Sequence, residues 1–186
     1  LEKSKCPTGI YTLSIPTGGG KTFASLRFAL SHAQQYNKQK IIYIIPFTTI
    51  IEQNAKEVRD VLQIDDILEH HSNVMEFTES ELIEFTYDDL AKKRKLEAMK
   101  DNWDSPIIFT TLVQFLNVIF NGKSRNLRRL HNLANSILIF DEVQTLPVSC
   151  VSLFNTAIQY LKDYMNTTVI LCTATQPALN FVKRNI

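Results

Sequence analysis

An excess of either charge is missing from this 186-residue chain: 20 lysines and arginines stand against 19 acidic residues, for a formal net charge of +1. Global charge therefore gives no argument for nucleic-acid or membrane binding, and any basic site has to be local. No apolar run is long enough to cross a bilayer. The opening residues Leu1-Glu2-Lys3-Ser4-Lys5 lack the apolar stretch of a secretory signal, so the expected location is the cytoplasm, with no membrane partner. Cysteine is sparse: Cys6, Cys150 and Cys172 are scattered and lack metal-ligand spacing, which suits free thiols in a reducing compartment. Internal repeats, low-complexity tracts and interdomain linkers are also missing. The length suits one α/β domain with a full core rather than two.

What is present alternates. Apolar, β-rich runs predict strands over 10–15, 40–45, 107–110, 137–140 and 168–173, with a further short strand over 64–68. Helical spacing predicts helices over 21–35, 49–62, 111–120 and 149–164. Strands without polar alternation, separated by helices, argue for a mostly parallel sheet covered on both faces. Residues 69–102 break the rhythm. Glu76, Glu79, Glu81 and Glu84 precede Lys92-Lys93-Arg94-Lys95, an order that suits a helix dipole, and an inserted helical element is expected there.

The most informative stretch is Ser14-Ile15-Pro16-Thr17-Gly18-Gly19-Gly20-Lys21-Thr22, between the first strand and the first helix. A glycine loop there turns several backbone N–H groups toward one point, and the helix dipole adds positive potential, which suits a phosphate chain. Lys21 would reach the β- and γ-phosphates of a nucleoside triphosphate, and the Thr22 hydroxyl would ligate Mg²⁺. The strict phosphate-loop spacing is not met, because Ile15 stands where it requires glycine. A second motif strengthens the reading. The apolar run 136–140 delivers Asp141-Glu142-Val143-Gln144 to a strand end, where ligands bind in open parallel sheets. Asp141 fits the second Mg²⁺ ligand, and Glu142 fits the group that orients the attacking water.

Three further stretches fall at strand ends: Pro46-Phe47-Thr48-Thr49, Thr110-Thr111-Leu112-Val113-Gln114 and Thr173-Ala174-Thr175. Hydroxyls and amides at helix N-termini can grip a nucleic-acid backbone without reading sequence, and the same residues also serve as plain helix caps. His70-His71 reads as a surface feature, solvent-facing or near nucleic acid, rather than a metal site. Lys123, Arg125, Arg128 and Arg129 form the remaining basic cluster, which reads either as a solvated helix face or as a contact to nucleic acid or a partner domain.

Residues 16–22, 141–144 and 173–175 resemble motifs I, II and III of superfamily 2 helicases, and the stretches 46–49 and 110–114 resemble motifs Ia and Ib. Longer stretches narrow the resemblance: 9–22, 44–55, 68–73, 129–136 and 171–179 look like the CRISPR-associated helicase–nuclease of type I systems. The resemblance covers nearly the whole chain and is thinnest over 75–100. It implies a RecA-like three-layer sandwich of the phosphate-loop NTPase class over residues 1–186, the first of two motor lobes. The nuclease domain, the second lobe and its arginine finger would lie outside this sequence.

The implied cofactors are ATP and Mg²⁺, with Pro16, Thr17, Gly18, Gly19, Gly20, Lys21 and Thr22 around the nucleotide and Lys21, Asp141, Glu142 and Gln144 in hydrolysis. Pro46, Phe47, Thr48, Thr49, Thr111 and Gln114 would meet single-stranded DNA. Gln144, Thr173 and Thr175 would couple the nucleotide state to the second lobe. The implied parent moves 3′→5′ on single-stranded DNA and degrades the strand displaced by an RNA-guided surveillance complex. Another superfamily 2 DNA translocase, an RNA helicase lobe and a nucleotide-gated interaction module remain alternatives at this point. An intact Glu142 speaks against the last, since a pure switch needs no water-orienting carboxylate.

Overall fold

The computed structural model describes residues 2–16, 19–71 and 102–174, and for Thr49 the backbone alone. The strands are β1 (Ile10–Ser14), β2 (Lys40–Ile45), β3 (Ile67–His70), β4 (Ile107–Thr111), β5 (Ser136–Phe140) and β6 (Thr168–Thr173). The helices are α1 (Lys21–Tyr36), α2 (Thr48–Leu62), α3 (Leu112–Phe120), α4 (Ser124–His131) and α5 (Val148–Tyr164). The six strands form one sheet in the order β1-β6-β5-β2-β4-β3, every neighbouring pair parallel.

Period-two geometry divides the apolar runs between two faces. On one face Ile41, Tyr43, Ile45 and Ile139 pack beneath Leu26 and Ala29 of α1 and Ile51, Ala55 and Val58 of α2. On the other, Ile42, Ile44, Leu138 and Phe140 pack beneath Phe115 and Val118 of α3 and Phe154, Ile158 and Leu161 of α5. Phe140 meets Phe115 and Phe154 edge-to-face, both with ring centroids 4.9 Å apart. A one-residue slip of β2 would exchange the two sets, so register is strongly specified. This is the three-layer sandwich expected from the sequence.

Three local readings change. The short strand lies over Ile67–His70 rather than 64–68, because Asp65 and Asp66 make a turn in which Ile67 N–H donates to the Asp65 carbonyl at 2.8 Å. The basic cluster is not one solvated face: Arg129 on α4 is buried, its guanidinium 5.9 Å from the ring centre of the wholly buried Trp103. His71, read as a surface feature, is also buried, and His70 is half-buried, its ring 5.7 Å from that of Trp103. Of the expected insertion, 72–101 lies outside the described residues.

Candidate active site

Strand β1 ends at Ser14, and its exit is tied to β6 by Ile15 N–H donating to the Thr173 carbonyl at 3.2 Å. Gly19 N–H donates to the Pro16 carbonyl at 3.0 Å. A Cβ on Gly19 would lie 2.7 Å from Ile15 Cγ2 and 3.0 Å from the Pro16 oxygen, so the position has no room for a side chain. The departure at Ile15 is thus matched by a bare Gly19 beside it. Gly20 needs glycine for a different reason: at φ 73° it is left-handed, and it caps α1 with backbone alone. Thr17 and Gly18 lie outside the described residues.

Lys21 opens α1, and its ammonium lies 2.9 Å from Asp141 Oδ1 and in contact with Glu142 Oε1. The other Glu142 oxygen, Oε2, accepts a hydrogen bond from the Gln144 amide. Burial alone would push the Lys21 ammonium down, but hydrogen bonds to Glu142 and Asp141, with their charges, hold it above the ordinary lysine range. Asp141 is fixed at the end of β5: its N–H donates to the Ile44 carbonyl, and its Oδ1 accepts from Glu142 N–H, both at 2.9 Å. Glu142 itself is left-handed, with φ 47°, at a cost on the order of 1–2 kcal/mol for a residue bearing Cβ. Thr145 offsets that cost, since its N–H and hydroxyl donate to the Glu142 carbonyl at 2.9 and 2.8 Å. The strain sits on the residue read as the water-orienting carboxylate, the kind of position where backbone strain gathers.

The cluster combines a lysine, two carboxylates and a helix N-terminus without a side-chain cap, so an anion reaching it finds a cation and free N–H donors. For Mg²⁺, Thr22 on the first turn of α1 offers a hydroxyl. Asp141, close enough to pair with Lys21, offers a carboxylate. One carboxylate and one hydroxyl suit a hard cation that keeps waters and substrate phosphates in its shell, rather than a cage made by protein alone. The donor set therefore fits Mg²⁺ arriving with its nucleotide. Among the described residues, no three or more His, Cys, Asp or Glu side chains are grouped to hold a metal.

Of the remaining residues singled out by sequence, the described ones lie at the same strand ends. Phe47 is 54% exposed just beyond β2, next to the half-buried Pro46 and Thr48. The Thr111 hydroxyl caps α3, accepting from Gln114 N–H at 3.2 Å, as cap chemistry alone would have it. Thr173 is buried as the last residue of β6, and Thr175 lies outside the described residues. Sequence reasoning missed that Gln144 holds Glu142, and it missed Ser25 on the buried face of α1 and Tyr43 beneath it. Two polar residues amid apolar neighbours were the available signal for the latter.

The DEAD/DEAH box helicase family profile matches residues 9–182. A CRISPR-associated nuclease/helicase Cas3 from Haloferax volcanii is 28% identical over 186 residues, an alignment covering 91% of this chain and 19% of that protein. The crystal structure of T. fusca Cas3 with ADP superposes with a TM-score of 0.69 at 19% identity, covering 92% of this chain and 19% of that one. A chain of a CRISPR RNA-guided surveillance complex in a pre-nicking state gives 0.64 at 16% identity, covering 92% of this chain and 16% of that one. The sequence thus spans about a fifth of the length of the curated relative it matches.

Proposed function

The chain belongs to the DEAD/DEAH box helicase family, and from that premise we propose that it is the ATP-binding first motor lobe of a CRISPR-associated DNA helicase–nuclease. The observation that carries the reading is the contact of Lys21 with Asp141 and Glu142 at the carboxyl ends of the strands. Those groups come from two motifs about 120 positions apart, as the separation of 121 between Lys21 and Glu142 states. The two carboxylates neutralise the lysine. Phosphate oxygens offer the same ammonium a stronger anion, and the N–H groups opening α1 add to it.

Lys21, the loop amides and Thr22 then hold the triphosphate. Lys21's departure frees Glu142, which Gln144 keeps oriented, to accept a hydrogen bond from the attacking water. Mg²⁺, when bound by Thr22 and Asp141, supplies charge neutralisation for the phosphate chain. Pro46, Phe47, Thr48, Thr49, Thr111 and Gln114 form a sequence-independent grip on single-stranded DNA, and Thr173 and Thr175 carry the nucleotide state onward. The rest of the polypeptide supplies the second lobe and nuclease domain, and an RNA-guided surveillance complex recruits the protein in the cytoplasm. The Cas3 likenesses support this narrower reading. An arginine finger from a second lobe typically supplies roughly 10³–10⁵ in rate, so the lobe alone hydrolyses ATP very slowly.

The test is ATP hydrolysis by the full-length protein with and without single-stranded DNA, for wild type, Lys21→Ala and Glu142→Gln. DNA stimulation lost in both variants, with nucleotide binding kept in Glu142→Gln, is expected. Hydrolysis indifferent to DNA but stimulated by RNA would replace this reading with an RNA helicase.

A further inference from the structure

On the sheet-facing side of α1, inside an apolar layer, lie three side chains with polar atoms, Ser25 of α1 itself, Tyr43 of β2 and Cys172 of β6, exposed by 1%, 2% and 1%. The Ser25 hydroxyl donates to the Thr22 carbonyl, one turn back along the same helix, at 2.9 Å, so the tie to the sheet is made by Tyr43. The Tyr43 hydroxyl donates to the same carbonyl at 3.4 Å and lies 3.5 Å from Ser25 Oγ. The Tyr43 ring stacks on Phe109, its register partner on β4, with centroids 4.7 Å apart and planes 5° apart. Burial, reinforced by the Asp141 charge, pushes the Cys172 thiol up to about 12, so it stays protonated beside Ser25.

A core that needed only volume would be filled by alanine and phenylalanine here, because buried hydroxyls cost stability unless they are bonded. Both hydroxyls converge on one carbonyl, and α1 has no side-chain cap. A helix whose first N–H groups must stay open to an anion cannot be fastened by a cap that occupies them. It has to be fastened from the carbonyl side.

We propose that Ser25 and Tyr43 are positioning residues for the phosphate end of the site, holding the Thr22 carbonyl so that the Thr22 hydroxyl and Lys21 ammonium keep a fixed place on the sheet. The proposal rests on the reading of Lys21 and Thr22 as ligands of phosphate and Mg²⁺. Tyr43 lies on the strand that leads to Pro46 and Phe47, and Cys172 directly precedes Thr173. Through Tyr43 the fastening joins the nucleotide helix to β2.

The test is equilibrium titration of the full-length protein with a fluorescent ADP analogue at graded Mg²⁺, for Tyr43→Phe, Ser25→Ala, the double variant and Thr22→Ala. Each single change is expected to weaken Mg²⁺-dependent binding about threefold and the pair about tenfold, in keeping with the loss of neutral hydrogen bonds. Tm should move little, because Tyr43→Phe keeps the stacked ring. If Thr22→Ala alters the Mg²⁺ dependence while Tyr43→Phe and Ser25→Ala bind as wild type, the positioning role is overturned. A lowered Tm with unchanged affinity of the folded protein overturns it too. If Thr22→Ala leaves the Mg²⁺ dependence untouched, the ligand assignment itself fails, and the proposal with it.

Discussion

A half-buried lysine and a buried one occupy opposite ends of the same sheet, and their surroundings differ in kind. Lys21, at the carboxyl ends of the strands, faces two carboxylates and is held above its ordinary range. Among the described residues Lys38, at the amino ends, meets neutral oxygens alone: Thr8 Oγ1 at 2.8 Å, the Asn166 carbonyl at 2.6 Å and Asn166 Oδ1 at 3.1 Å. Burial lowers it. The first arrangement can be exchanged, since an incoming anion can take the place of a carboxylate. The second cannot, because its partners belong to the turns they fasten. Asn166 and Asn135, both left-handed, are bonded to each other, and Asn135 also bonds the carbonyl of the left-handed Asn37. One end of the sheet is built to change partners and the other to keep them.

The largest expected effect breaks the first end alone. Glu142→Gln removes the charge that orients water while keeping a hydrogen-bonding group, so DNA-stimulated kcat should fall about 10²–10⁴-fold with nucleotide binding retained. Binding should in fact tighten, since Lys21 is released from one of its two anions. Steady-state kinetics with a nucleotide titration checks both, and weaker binding would show that the ion pair supports the site rather than competing with nucleotide.

Gly19→Ala comes next. The added Cβ would sit 2.7 Å from Ile15 Cγ2 and 3.0 Å from the Pro16 oxygen, so the loop must move. Nucleotide affinity should fall about tenfold, ~1.4 kcal/mol. Ile15→Ala in the same protein removes the nearer clash and should restore part of the loss, whereas no restoration would place the strain in the backbone. This pair also shows what sequence can carry. The glycine loop, the Asp-Glu pair and the alternation of strands and helices were legible because each is local in the chain. Ile15 read as a missing glycine, and its compensation by Gly19 appears only when the turn brings the two together. Helix α4 entered the sequence reading only as one option for its basic cluster, without bounds, because its eight residues are mostly polar, with too few apolar positions to set a period. Trp103 under Arg129, and Tyr43 under Thr22, depend on contacts between distant segments that no window contains. The asparagines at 37 and 166 did carry a signal, since asparagine tolerates the left-handed ends of helices. That signal says where a helix stops, not that a lysine will be clasped there.

Lys38→Met tests the second end. The methylene stem is kept and three hydrogen bonds are lost, but the desolvation cost of the charge goes with them, so the net loss of stability should be about 1 kcal/mol. Denaturant unfolding measures it. Hydrolysis per folded molecule should be unchanged, and a loss of kcat comparable to that of Glu142→Gln would erase the distinction between the two ends.

The smallest effect is a pH dependence at the amino-end side of the sheet. His32 is wholly buried, its Nδ1 2.8 Å from the Ser4 carbonyl and its Nε2 2.8 Å from Thr168 Oγ1, with its ring stacked on Phe28 at 5.8 Å. Burial lowers its pKa, the Ser4 carbonyl opposes the shift and the Lys38 charge adds to it. Below about pH 6.5 the unfolded chain takes up a proton on this histidine that the folded chain resists. His32 therefore contributes stability that is present above that pH and is lost as pH falls through 6.5 toward its lowered folded value. Thermal unfolding at pH 7.5 and 5.5 should show a drop in Tm that His32→Gln reduces. Lys38→Met should reduce it as well, because removing the nearby charge lets His32 protonate more readily in the folded state. An undiminished drop in both variants would assign the acid sensitivity to carboxylates instead. It would also leave Lys38 fastening its turns without any electrostatic reach.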